Sequence, residues 1–170
     1  MISQKMRDAM NEQIKYELES AYLYLSMMAW FKANNLDGMA KWMQAQSQEE
    51  VMHAMKFFHH IIDRDGKVEL LPMNIKKTEW SSAAEAFQDA YQHEQFVTNR
   101  INELTKKAYD ENDHAAKTLL QWFIDEQVEE EASTAKVAKD MEIVGKDGTG
   151  LLMLDRELGA RMFTMPTPPA

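Results

Sequence analysis

The sequence predicts an all-α protein: a four-helix bundle with a long crossover between its second and third helices and a short fifth helix near the C-terminal end. Three observations carry that expectation. Apolar residues recur at alternating spacings of three and four through four long stretches, which is the period of one buried helix face. The stretches run to about 28 to 30 residues, whereas an average globular helix has about 11 or 12. Between them stand turn and cap signals: Asn34-Asn35 followed by Asp37-Gly38, then Gly66, Ser82 and Asp113.

The first helix is expected from about Gln4 to Asn34 and the second from about Leu36 to Asp65, closed by Gly66. Each would span ~45 Å at 1.5 Å per residue. Residues 67–80 lose the period and contain Pro72, so they read as an extended connector. At ~3.3 Å per residue it can travel the length of the bundle, a recognised bundle topology. Ser82 and Glu85 have the spacing of a capping box and open a third helix, to about Glu111. Asp113 caps a fourth, which ends near Gly145. Residues 146–150 read as a hinge, 151–161 as the short fifth helix, and the tail 164–170, with three prolines, as irregular. Residues 1–145 thus form the bundle, and residues 146–170 belong to the same single domain, a chain length that buries roughly 70% of its unfolded surface.

Composition limits the function. Against 19 basic side chains stand 28 acidic ones, for a net charge of −9. Nucleic acid is therefore not an expected partner, because phosphate binding needs a basic face. Cysteine is absent, which excludes disulfides, iron–sulfur clusters and thiolate zinc sites. The opening MISQKMRDAM lacks the apolar core of a signal peptide, and no run of about 18 apolar residues could span a bilayer. The expected location is the cytoplasm.

Each apolar seam is interrupted near its middle by a metal-type ligand. The first reads Met10, Ile14, Glu17, Ala21, Tyr24, Met28, Phe31, and the second Met39, Met43, Gln46, Glu50, His53, Phe57. The third reads Ala83, Phe87, Ala90, Glu94, Val97, Ile101, Leu104, and the fourth Ala116, Leu120, Phe123, Gln127, Glu130, Thr134, Val137, Met141. Counted from the turns, all four interruptions fall at the same level, about 14 to 18 residues from a helix end. Burying an ionised carboxylate costs several kcal/mol, and no Lys or Arg occupies the seams. Metal cations are the matching countercharge. Two divalent ions bring four positive charges to Glu17, Glu50, Glu94 and Glu130.

Glu50 and His53, three apart on a helix, can close on one ion, which Glu17 completes. The second oxygen of Glu50 can reach another ion, shared with Glu94 and Glu130. One imidazole among many carboxylates suits iron(II) or manganese better than structural zinc. Two such ions held by a bridging carboxylate can each give one electron to O2. Tyr24, two turns beyond Glu17 on the same face, is placed where a phenol can hydrogen-bond a group held at the metals.

The stretches NEQIKYELESAYLYLSMMAWF, QSQEEVMHAMKF, HEQFVTNRINEL, LLQWFIDEQVEEE and GTGLLMLDREL together resemble the ferritin family in its non-haem prokaryotic branch, over nearly the whole chain. Ferritin-like folds are themselves the type case of the one-crossover, carboxylate-bearing bundle. The resemblance implies a ferroxidase centre in each subunit: one iron held by Glu17, Glu50 and His53, a second by Glu50, Glu94 and Glu130, and Gln127 beside the second. It implies a third iron position built from Glu49, Glu126, Glu129 and Glu130. It also implies self-association into a cage of 24 subunits that takes up Fe2+, uses O2 and stores ferric mineral.

Departures from sister families sharpen the match. Bacterioferritin and most di-iron oxygenases carry Glu-x-x-His on both the second and fourth helices, whereas here the fourth reads Gln127-Val128-Glu129-Glu130. Bacterioferritin places its haem-ligating methionine directly after the second-helix glutamate. Here that position is Val51, and Met52 points about 100° elsewhere on a helix, so no haem is expected. Animal-type ferritins lack a glutamate matching Glu130.

Taken singly, these residues have ordinary explanations. A seam glutamate is commonly a boundary residue whose head reaches water, and a seam histidine a hydrogen-bonded core residue. The 14 methionines read as flexible core filler, and His59, His60, His93 and His114, off the seams, as surface residues. Coincidence at one level selects the metal reading for Glu17, Glu50, His53, Glu94 and Glu130. For Glu126 and Glu129, in DEQVEEE, a solvated helix face stays open beside ion binding. Two other functions compete: a di-iron carboxylate oxidase or oxygenase without mineral storage, for whose substrate the bulky seams leave little room, and a metal-free, cytokine-like interaction bundle, which would place apolar residues where these carboxylates sit.

Overall fold

A computed structural model describes residues 1–74 and 77–163. Its elements are α1 (Gln4–Ala33), α2 (Asp37–Ile62), α3 (Ala83–Asp110), α4 (His114–Val144) and α5 (Gly148–Leu158). Local chemistry explains most of the boundaries. Ser3 caps α1 by accepting the Met6 amide at 3.1 Å, and Asn35, with φ of 58°, turns the chain toward α2. Ser82 accepts the Glu85 amide at 3.1 Å. The reciprocal arm of that capping box is displaced by one residue, because Glu85 accepts the Ser81 amide at 2.7 Å. Asp113 caps α4 through the Ala116 amide at 3.0 Å.

Three boundaries differ from the sequence reading. α2 stops at Ile62 rather than Asp65, since Asp65 takes a left-handed φ of 58° and the Gly66 amide folds back to the Ile61 carbonyl at 2.8 Å. α5 opens at Gly148 rather than Leu151 and ends at Leu158 rather than Arg161, because Asp147 accepts the Thr149 amide at 3.0 Å and starts the helix early. The hinge is thereby shortened to residues 145–147. The expected irregular tail, 164–170, lies outside the described residues.

The connector follows α1. Asn11 holds it at both sides of its amide group, donating to the Lys67 carbonyl at 3.2 Å and accepting from the Glu69 amide at 3.0 Å. Two turns further along α1, Glu19 accepts the Asn74 amide at 2.7 Å. Trp80 then donates to Asp89 at 2.9 Å on α3. The chain thus leaves α2 at the Ile2 end of the bundle and enters α3 at the Trp30 end, the long crossover the sequence predicts. α1 packs chiefly on α2, and α3 chiefly on α4.

Side chains of the four helices form two apolar cores. One gathers Tyr24, Phe31, Met39, Trp42, Phe87 and Met141, and the other Met10, Phe57, Ile61, Ile101, Leu120 and Phe123. Between them lies a layer of buried polar groups: Glu17, Gln46, Glu50, His53, Glu94, Gln127 and Glu130. Every seam residue is buried except Met28, which packs half-buried while its neighbour Met27 turns inward. His59 and His114 are exposed as expected. His60 and His93 are not surface residues but half-buried ones, His93 because its ring is held against Ser20 at 2.7 Å and edge-on to Tyr24.

α5 docks across the start of α2. Leu36 offers that helix no side-chain cap; Asp155, from α5, accepts the Met39 amide at 2.9 Å instead. The approach needs glycine, since a Cβ on Gly38 would fall 1.7 Å from the Asp155 carbonyl oxygen.

Candidate metal centre

Helical spacing delivers the candidate ligands to the middle layer, one or two from each of α1 to α4. Glu17, Glu50 and His53 bring ligand atoms within 4.8 Å of one another, and all three are buried. A second such trio is His53, Glu126 and Glu130. The histidine faces both: Nδ1 lies 3.4 Å from Glu50 and Nε2 3.7 Å from Glu126. A metal-binding imidazole characteristically gives one nitrogen to the ion and its other N–H to a carboxylate. Glu126 stands where that second partner would be.

Glu94 and Glu130 are held by neighbours. Tyr24 donates to Glu94 Oε1, while Gln127 donates to Glu94 Oε2 at 3.2 Å and reaches Thr98 at 3.3 Å. Glu130 accepts from Gln46 at 2.8 Å. Glu50, Glu94 and Glu130 do not converge as closely as the two trios, among the described residues. Tyr24 and Gln127, expected beside the reacting groups, here orient Glu94. Glu49 is half-buried and bonded to Arg161, and Glu129 is exposed.

Sequence reasoning assigned no role to Gln13, which donates to Glu17 at 2.9 Å, nor to Gln46, Thr98 and Arg161. A signal existed for one of them. Gln13 stands one turn before Glu17, the spacing at which polar side chains meet on a helix.

Burial dominates the electrostatics of this layer. Burial pushes the carboxyls of Glu17 and Glu50 above their usual range, and Glu94 up to about 8, with the charge of Glu130 adding to the last. His53 is pulled down by burial, but its contacts with Glu126 and Glu50 outweigh this and raise it well above an ordinary imidazole. Glu17 Oε2, Glu50 Oε2 and His53 Nε2 are buried without hydrogen-bond partners among the described residues. Buried polar atoms are rarely left so, and an oxygen-rich set with one nitrogen fits iron(II).

A long-helix bundle with a carboxylate–histidine layer across its middle defines a metal-binding bundle of the carboxylate class. The model of the ferritin-like domain matches residues 7–144. The chain is 34% identical to the bacterial non-heme ferritin of Escherichia coli O6:H1 over 158 residues, covering 93% of this chain and 96% of that one. It is equally 34% identical to the bacterial non-heme ferritin of Staphylococcus aureus USA300, covering 96% and 98%. An engineered closed form of Archaeoglobus fulgidus ferritin superposes with a TM-score of 0.95 at 46% identity, covering 96% of this chain and 100% of that one. The open-pore ferritin of the same archaeon gives 0.94 at 46% identity, covering 95% and 100%. The chain belongs to the ferritin family.

Proposed function

We propose that this protein stores iron by oxidising iron(II) with O2 at an intrasubunit centre and depositing the ferric product inside a self-assembled particle. The observation that carries the site assignment is the pair of buried carboxylate oxygens, Glu17 Oε2 and Glu50 Oε2, that have no hydrogen-bond partner among the described residues and share a layer with the His53 ring. Glu17, Glu50 and His53 hold the first iron. Glu50, Glu94 and Glu130 hold the second, with Tyr24 and Gln127 fixing the direction of Glu94 and Gln46 that of Glu130. Glu49, Glu126, Glu129 and Glu130 form a third position, more open to solvent and therefore weaker, because water and salt screen its charges.

The bound irons supply the electrons that reduce O2. The chain supplies the neutralising carboxylates, a dry apolar wall on each side and, through the raised carboxyls, protons that leave as the ions arrive. Family membership gives self-association into a multi-subunit particle, and we assign it 24 copies. No helix among the described residues is long and apolar enough to cross a membrane, and the cytoplasm is the compartment we assign. The oxygenase alternative is not favoured, since every curated relative cited above is a ferritin.

Oxygen uptake on aerobic addition of iron(II), followed by retention of iron by the particle on gel filtration, tests this reading. Oxidation without retained iron would favour the oxygenase, and neither would favour an interaction bundle. A crystal soaked in zinc should place ions at Glu17, Glu50 and His53; an empty layer rejects the centre.

A further inference from the structure

Arg161 follows α5 in the chain yet reaches the ion-binding side of α2. Its Nη2 donates to Glu49 Oε2 at 2.5 Å, and its guanidinium lies over the Trp42 ring, 4.3 Å from the centroid. Trp42 and Glu49 are seven apart on α2 and so share a face. Nη1 of Arg161 is buried with no partner among the described residues, so the fork engages the carboxylate with one arm. The segment is brought there by a docked helix, because Asp155 caps α2 and Gly38 lies against the α5 backbone. The other groups facing Glu49 are Glu130, His53 and Glu126, which themselves form one of the two ligand trios.

We propose that Arg161 is a positioning residue that acts as the resident counter-cation of the third iron position, holding Glu49 until an ion displaces it. The inference rests on the assignment of Glu49 to that position. A guanidinium and a divalent ion compete for the same carboxylate and repel each other, so each weakens the other's hold by the same factor. The position is thereby kept weak enough to pass iron on, and its occupancy is read out as release of Arg161 from Glu49 beside Trp42.

The test is titration of the full assembled protein with zinc alone, followed by calorimetry and tryptophan emission. In wild type, a third and weaker zinc per subunit should change the emission, and the change should vanish in Trp42→Phe. Arg161→Gln should tighten the third zinc about tenfold, an ordinary size for such a coupling. Arg161→Lys, which keeps the charge, should stay near wild type. In a Glu49→Gln background, Arg161→Gln should change nothing. A third zinc bound equally by wild type and Arg161→Gln overturns the role of Arg161 and leaves the third position standing. Two zinc ions per subunit in every variant overturns the third position and this role with it. If Arg161→Gln fails to assemble, the wild-type emission decides, since a third zinc bound without a Trp42 signal rejects displacement.

Discussion

At the scale of single residues, Glu50 is the carboxylate on which most depends. It lies in the fully buried trio, and its Oε2, 3.4 Å from His53 Nδ1, has no hydrogen-bond partner among the described residues. Glu50→Ala should slow initial iron(II) oxidation by more than about 100-fold, beyond what loss of an outer-shell partner does. Stopped-flow absorbance after aerobic mixing checks this, and wild-type kinetics would sink the assignment. The buried carboxylates of the middle layer were legible because a carboxylate in an apolar seam violates the pattern around it. Their supports were less so. Gln46 is on the second seam, but its partner, Glu130, is 84 residues away, and no helical spacing encodes that contact.

At the scale of elements, the four long helices were legible to within a few residues, since period and caps are local properties. The weak point of the reading was α2, whose first turn has no cap in its own neighbourhood. Asp155 supplies it from 116 residues away, and an Asp on a short amphipathic helix looks like any surface residue. Asp155→Ala should therefore lower stability by about 1 kcal/mol or somewhat more, as loss of an N-cap does, seen as a lower melting temperature. Gly38→Ala should loosen α5 more, by about 1–3 kcal/mol, because the added methyl meets backbone rather than a movable side chain. Removal of residues 151–170 deletes Leu154, Asp155 and Leu158 but none of the proposed ligands of the first two irons. Mineral retention should fall further than the initial oxidation rate, and unchanged particle mass and iron capacity would reject this division of roles.

At the scale of the whole molecule, the metal-free protein carries an unbalanced charge layer. Burial raises the carboxyls of Glu17, Glu50 and Glu94, the last to about 8, and the contacts of His53 raise it too. A folded state whose groups titrate higher than in the unfolded chain binds more protons, and stability then falls as pH rises through the interval. Between about pH 4.5, the ordinary glutamate value, and about pH 8, the metal-free melting temperature should decline steadily. Divalent zinc should restore it most at the alkaline end, where the carboxylates are ionised. A metal-free melting temperature that rises across this window would contradict the buried-ligand picture.

The polar layer also divides the hydrophobic interior into two halves that share helices but few side chains. Cooperative units of opening tend to follow such divisions. Without metal, the middle turns around Glu17, Glu50, Glu94 and Gln127 are the seam along which one half-bundle can breathe independently of the other. Amide hydrogen exchange should be fastest there among buried backbone positions and should slow there selectively when zinc binds. The ions, on this view, are a clasp between two folding units, and loading the protein is what makes it behave mechanically as one.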